Sequence, residues 1–283
     1  MNNKLNHTIR TFNRFELKYL ITLAQAERFK SALRPYLLQD EHGENGKYGL
    51  TSLYYDSPDL RCYWEKEYGL RFRRKLRIRK YETDKPMTEE APVFLEIKQR
   101  VDRVTQKRRV VLSYGDALRL CNDRKLPENT DENRETLEEM YTFLWQYNLR
   151  PVSIVRYDRQ AFMGTQYDMG LRVTFDTNLT FQAHKLHIHE EASALPMLSP
   201  NQVVMEIKVN ERIPTWLTAL IADHNLQMVR ISKYCRSIDV AQKSPALRWR
   251  NLPPESSEEM LATLPTPFAP MEQKMGVGMK RDA

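Results

Sequence analysis

The chain has 283 residues, of which 41% are hydrophobic and 10% aromatic; that is enough to bury a substantial core and too much for a disordered chain. Lys and Arg number 44 against 37 Asp and Glu, a formal net charge of +7, which points to an anionic partner without choosing among nucleic acid, polyphosphate, nucleotide and membrane headgroups. Cys62, Cys121 and Cys235 are widely spaced with no CxxC pair, and no run of 18 apolar residues occurs; a disulfide framework, a cysteine zinc site and a transmembrane helix are therefore not expected, and a reducing cytoplasm fits.

Residues 1–12 read as a loose polar leader with no apolar segment of the secretory kind. A strand is predicted over 13–21, then a helix whose start is marked by Thr22 with Gln25 three residues on, a capping box, and whose end is set near Pro35. Residues 49–56 read as a strand, and Ser57-Pro58 as the N-cap and first turn of a short helix over 58–66. A long strand over 69–81 and a hairpin of 92–100 with 104–113 follow. A short helix over 115–121 comes next, then a longer one over 132–148 whose stripe of Leu137, Met140, Tyr141, Leu144 and Tyr147 reads as core contact. Strands are expected over 152–163, 168–176 and 203–209, with an irregular edge over 178–190, and a helix over 214–224. Beyond residue 241 the strand pattern stops, and 242–283 read as a proline-rich, disordered tail with a brief helix over 256–263.

The strands share one feature. Side chains alternate faces along a strand, so in KLRIRKY Arg77 and Arg79 share a face with Lys75 and Tyr81 while Leu76 and Ile78 share the other. The same split places Glu96 and Lys98 opposite Leu95 and Ile97. It sets Glu206 and Lys208 against Met205, Ile207 and Val209, and Arg172, Thr174 and Asp176 against Leu171, Val173 and Phe175; Arg14-Phe15-Glu16-Leu17-Lys18 repeats it. One such strand is an ordinary sheet with a wet face. Five mean that the charged rows either face water or face one another inside a closed barrel, and there Glu16, Glu96 and Glu206 offset only part of the positive charge; unpaired ions in such a lumen cost several kcal/mol each. That lumen calls for a polyvalent anion such as a phosphate chain with a metal.

The ordered set RFELKY, KLRIRK, FLEIKQR, KRRVVL, IVRYDRQAF, LRVTFD, VMEIKV and SKYC resembles the VTC domain, the polyphosphate polymerase branch of the triphosphate tunnel metalloenzymes, over roughly residues 10–240. The resemblance implies an α+β fold: an eight-stranded antiparallel β-barrel tunnel with a charged lumen, flanked by helices and spanning 13–241. It implies transfer of the γ-phosphoryl of ATP to a growing polyphosphate chain, with Mn²⁺ or Mg²⁺. Carried over residue by residue, Arg77, Arg79, Lys98, Arg156, Arg172 and Lys208 are the catalytic candidates. Lys18, Arg109, Ser232 and Lys233 are phosphate-binding candidates, Glu206 is the metal ligand, and Glu16 and Glu96 are supporting groups that orient the cations. Lys107 shares the face of Arg109, but a one-residue slip would replace both with Arg108.

Two departures stand out. Arg14-x-Glu16-x-Lys18 replaces the Glu-x-Glu-x-Lys of the hydrolytic relatives, which weakens a two-metal hydrolase. The phosphate-sensing domain and membrane helices of eukaryotic assemblies are not expected here. A tripolyphosphate or nucleoside-triphosphate hydrolase and a non-catalytic polyphosphate-binding module remain as alternatives. Nucleic acid is not expected, because the basic residues alternate with apolar ones instead of lining an exposed face with stacking aromatics. His184, His187 and His189 with Glu190 resemble a metal cluster but read first as a solvated edge; His187 and His189 would share a strand face and His184 would not.

Overall fold

Alternating charge and grease becomes, in the folded chain, two faces of one sheet. The structure is a computed structural model that describes residues 14–102, 104–128, 131–190, 194–210, 212–243 and 256–264. The strands are β1 (Arg14–Thr22), β2 (Leu37–Gln39), β3 (Lys47–Asp56), β4 (Phe72–Tyr81), β5 (Pro92–Val101), β6 (Val104–Ser113), β7 (Arg150–Gly164), β8 (Arg172–Gln182), β9 (Leu195–Pro196) and β10 (Gln202–Asn210). The helices are α1 (Leu23–Leu33), α2 (Arg61–Glu67), α3 (Tyr114–Asp123), α4 (Arg134–Gln146), α5 (Thr215–Asp223), α6 (Lys233–Lys243) and α7 (Ser257–Ala262). Antiparallel pairing gives the order β1-β10-β8-β7-β3-β4-β5-β6, with β2 on β7 and β9 on β8.

The outer face carries two apolar layers. Leu76, Ile78, Leu95, Ile97 and Val110 pack under α3 and α4 through Leu118, Met140 and Leu144. Met205, Ile207, Val173 and Phe175 pack under α1 and α5 through Phe29, Leu33 and Leu217. Each such side chain, fully buried, contributes about 1.5–3 kcal/mol. The inner face holds a third cluster of Leu50, Tyr54, Val155, Tyr157 and Val204, covered by Tyr234 and Ile238 of α6.

The capping box forms as the spacing predicts: Thr22 Oγ1 accepts from the Gln25 amide at 3.2 Å and Gln25 Oε1 accepts from the Thr22 amide at 2.9 Å. Helix α2 starts three residues later than Ser57-Pro58 suggests. Leu60 takes a left-handed conformation (φ 58°), and the buried Asp56 carboxylate accepts from the amides of Cys62 and Tyr63 at 2.8 and 3.0 Å. The same carboxylate accepts from the Tyr234 hydroxyl, tying α2 to α6. The three cysteines are free and buried. Among the described residues no helix is long and apolar enough to cross a membrane. The leader lies outside the described residues, as does most of the tail; α7, however, docks, with Met260 buried in the outer core and Ser257 bonded to Asp123.

The expectation of a closed barrel needs correction. The sheet curls until Glu16 of β1 meets Lys98 of β5 at 2.7 Å, yet β1 and β6 end the strand order and no ladder joins them. The segment before α6 occupies that edge instead. The Val229 amide donates to Lys18 O at 2.7 Å, Tyr19 bridges Met228, and Lys18 Nζ donates to Ile231 O at 3.2 Å. The result is a ten-stranded sheet wrapped around a channel, with a seam closed by a strap.

Candidate functional site

Two walls face each other across the channel. The first is built by β1, β8, β10 and the start of α6, around Glu206. Lys233, at the first turn of α6, places Nζ 2.8 Å from Glu206 Oε1, and Lys18 Nζ lies 3.5 Å from the same oxygen. Lys208 Nζ and Arg159 Nη2 lie 3.6 and 3.8 Å from Oε2. Asp176, on β8, takes Arg159 in a fork of 2.7 and 2.8 Å and Lys233 at 2.5 Å. Glu16 pairs with Lys18 at 3.3 Å as well as with Lys98. Burial pushes the Glu206 carboxyl up, but Lys18, Lys233, Lys208 and Arg159 together hold it well below the carboxylate range. Burial drives Lys208 down to about 7, helped by Arg159 and Lys98 and opposed by Glu206 and Glu16. At one mouth of this wall Arg172 bonds Asp40 at 2.8 Å and the Tyr48 hydroxyl at 2.6 Å.

The second wall comes from β3, β4, β5 and β6 and contains one carboxylate. Arg77 grips Glu96 through Nε (2.8 Å) and Nη2 (2.6 Å) and donates to the Tyr54 hydroxyl at 2.9 Å. Arg79 donates to Ser52 Oγ (3.1 Å) and Tyr157 (3.0 Å) and stands 3.8 Å from Glu96. Lys107 reaches the other Glu96 oxygen at 2.5 Å. Lys75, Lys98 and Lys107 are direct neighbours across β4, β5 and β6, and Lys75 also donates to Ser232 Oγ at 2.9 Å. Burial raises the Tyr54 phenol, yet Arg77 and Arg79 outweigh it and bring the group to about 8. Like charges set directly opposite destabilise a sheet. A row of them needs counter-charge, which Glu16 supplies to Lys98 and Glu96 to Lys107.

Most sequence candidates meet here: Glu16, Lys18, Arg77, Arg79, Glu96, Lys98, Arg172, Glu206, Lys208, Ser232 and Lys233. Ser232 faces Lys75 and also accepts from the Cys235 amide at 3.3 Å, capping α6. The register of β6 resolves as Lys107 inward, with Arg108 turned outward to Glu139 on α4. Arg109 shares the inner face but is exposed, 4.9 Å over the Phe94 ring. Arg156 is the correction. It points to the outer face, where it donates to Gln182 Oε1 at 3.0 Å and to Ile188 O at 3.0 Å. Alternation along β7 is unbroken, so Arg156 shares the outer face with Ile154 while Arg159 turns inward with Val155 and Tyr157; the irregularity opposite Arg156 and Asp158 adds a residue to β8. Reading missed Arg159, Asp176 as a partner, and Lys75 as a channel cation. Lys75 was legible in the same alternation as Arg77, and Arg159 in the alternation of β7, which sets it opposite Arg156.

The donor set fits one hard divalent cation. Such an ion is content with one or two carboxylates plus substrate phosphates and waters; Glu206 is the carboxylate at hand, with Asp176 beside it. Thr174 Oγ1, directly across from Glu206 on β8, is buried without a hydrogen bond, one more oxygen at that spot. A two-metal cage does not fit: among the described residues no three metal-ligating side chains cluster in the channel.

The family model of the VTC domain matches residues 13–242. The chain belongs to the VTC domain family. All eight motifs quoted above fall inside the matched span. No curated protein matches the sequence. Solved structures similar to this VTC domain include a Bacillus halodurans protein described as a candidate adenylate cyclase, at 14% identity and TM-score 0.44 over 78% of this chain and 95% of that one. Another is the PH1819 protein from Pyrococcus horikoshii OT3, at 11% identity and TM-score 0.40 over 80% of this chain and 96% of that one.

Proposed function

We propose that this VTC domain is a metal-assisted polyphosphate polymerase that moves the γ-phosphoryl of ATP onto the end of a phosphate chain lying in the channel. One observation carries the reading above the hydrolase alternative. Along β4 the inner face presents Arg79, Arg77, Lys75 and Arg73 in unbroken succession, a cationic row of about 20 Å at the rise of a strand. That is longer than a triphosphate needs, and it suits a polymer.

Phosphoryl transfer asks for positioning and charge neutralisation more than for a protein nucleophile. Arg77 and Arg79 present planar forks that fit phosphate oxygens two at a time, and both are already held in place by Tyr54, Ser52 and Tyr157. Phosphate binding lets Arg77 and Lys107 exchange the shared Glu96 carboxylate for phosphate oxygens. Lys98, Lys75 and Lys18 then hold the acceptor chain across the channel as point charges. Lys208 and Lys233 flank the Glu206 end, where Mn²⁺ or Mg²⁺ would be held and would supply charge neutralisation. The acceptor oxygen comes from phosphate itself, so no side chain needs to be deprotonated.

Purified protein incubated with ATP and Mn²⁺ tests this. ADP together with long-chain polyphosphate supports the polymerase. Orthophosphate without polymer establishes the hydrolase in its place, and tight binding without turnover establishes a binding module. Arg77→Ala should abolish turnover; an unchanged rate removes Arg77 from the site.

A further inference from the structure

Beyond the end of β8 the chain makes a compact turn over residues 183–190 on the outer side of the sheet. Lys185 takes a left-handed conformation (φ 49°), and Gln182 Nε2 donates back to its carbonyl. Arg156 pins the rest of the turn, with Nη2 directed at the carbonyls of His187, Ile188 and Glu190. Ile188 is buried in the outer core, in the same cluster as Met260 of α7. The imidazoles on either side of it therefore lie against one another, ring centres 5.8 Å apart and planes within 8° of parallel.

These histidines are not a solvated edge. His187 is 6% exposed, and the His189 side chain 11%. His187 Nδ1 lies 3.2 Å from Glu190 Oε1, and His189 Nε2 lies 3.9 Å from that oxygen. The ligand atoms of all three residues fall within 4.8 Å of one another. The His187–Glu190 contact accounts for one ring. It leaves His189 poorly satisfied: neither buried nitrogen makes a hydrogen bond of good geometry, and the ring has only an approach to the Thr263 backbone besides the distant Glu190 oxygen. A buried polar atom with no partner costs about 1–3 kcal/mol, and such atoms in a native fold point to a missing ligand.

We propose that His187, His189 and Glu190 bind one transition-metal dication, Zn²⁺ by the chemistry of the donors, at a site on the outer face that is separate from the channel. Two imidazoles and a carboxylate are a borderline donor set of the zinc type, unlike the oxygen donors available around Glu206. Zn–N bonds of about 2.0–2.1 Å set tetrahedral ligands roughly 3.3 Å apart, so the three side chains must close on the ion by rotation. The Arg156 guanidinium opposes a cation here. Its hydrogen bonds run to carbonyl oxygens, and the Glu190 carboxylate supplies the offsetting charge. Three protein ligands leave one position for solvent. The bound ion would fasten the turn beside Thr263, at the end of α7, and so act on stability and not on phosphoryl transfer.

The test uses the full chain stripped with a chelator and titrated with Co²⁺ as an optical probe, then with Zn²⁺ in competition. The expected result is visible absorption typical of low-coordinate cobalt, saturating at one equivalent and displaced by Zn²⁺, with Zn²⁺ raising the melting temperature. His189→Ala, which removes the unsatisfied ring without opening the core, should weaken Zn²⁺ binding at least 100-fold and cancel the thermal shift. Glu190→Gln should weaken it at least tenfold, and Glu206→Gln should leave it unchanged. Absence of the cobalt signal overturns the proposal. So does equal affinity in His189→Ala, or loss of the signal in Glu206→Gln, which would move the ion to the channel.

Discussion

The two walls of the channel use the same residue types to opposite ends. Around Glu206 the charges nearly balance: Glu16, Asp176 and Glu206 interlock with Lys18, Lys208, Lys233 and Arg159 in a closed network. Across the channel Glu96 alone answers Arg77, Arg79 and Lys107, with Lys75 close by. A balanced wall is held rigid by its own partners and can orient a metal and a leaving group. An overcharged wall stores its attraction for whatever anion arrives. Under the proposed function, the difference separates the place where chemistry would be organised from the place where substrate would be gripped.

Breaking the balanced wall should have the largest effect. Glu206→Ala leaves Lys18, Lys208 and Lys233 facing one another with too little counter-charge, and opening a buried ion network of this kind costs about 3–5 kcal/mol. Urea denaturation should register that loss, and nucleotide turnover should vanish with it. A mutant as stable and active as the parent would dissolve the distinction between the walls.

The next contrast lies within β7. Arg159→Met removes the fork on Asp176 and should sharply weaken tripolyphosphate binding, as read by calorimetry. Arg156→Met, three residues away, should bind tripolyphosphate normally, yet lose about 1–3 kcal/mol of stability as buried carbonyls lose their donor. Reversed results would mean that the two faces of β7 have been assigned the wrong way round.

A pH experiment sharpens the comparison further. Lys208 stands at about 7 in the folded chain against an ordinary 10.5. Between these values the unfolded chain holds the extra proton, so this group makes the fold gain stability as pH rises through that window. A phosphate ligand restores the charge. At pH 8, tripolyphosphate binding should therefore take up protons, visible as a dependence of binding heat on buffer ionisation, and Lys208→Met should reduce the uptake. The smallest effect belongs to Arg109→Ala. An exposed cation over a ring is worth roughly 0.5–1 kcal/mol, so affinity should fall less than about fivefold.

The alternation of single strands was legible because one face of each had to be buried. Leu76 and Ile78, or Met205 and Ile207, could only turn outward, which sent Arg77 and Glu206 inward. Local order was equally plain at Thr22 and Gln25. What stayed hidden depended on contacts distant in sequence. Which of the two rows of β7 faces inward, that of Arg156 or that of Arg159, is decided by the neighbours β3 and β8 and not by the strand itself. Helix α2 begins late because Asp56 waits for amides that its own sequence does not announce. Closure failed as an expectation because a competitor for the β1 edge arrives from residues 228–231, two hundred positions away. The histidine turn was misread for a related reason: its burial is imposed by Arg156 and α7.

The strap along β1 has a consequence for traffic. A seam held by the Val229 amide, by Lys18 with its contact to Ile231, and by the Glu16–Lys98 pair can part without unzipping a strand ladder, since a neutral hydrogen bond contributes only about 0.5–1.5 kcal/mol and a charged one about 1.5–3. The polymer of the proposed function, if longer than the bore, would thus have a sideways route in and out and need not be threaded by its tip.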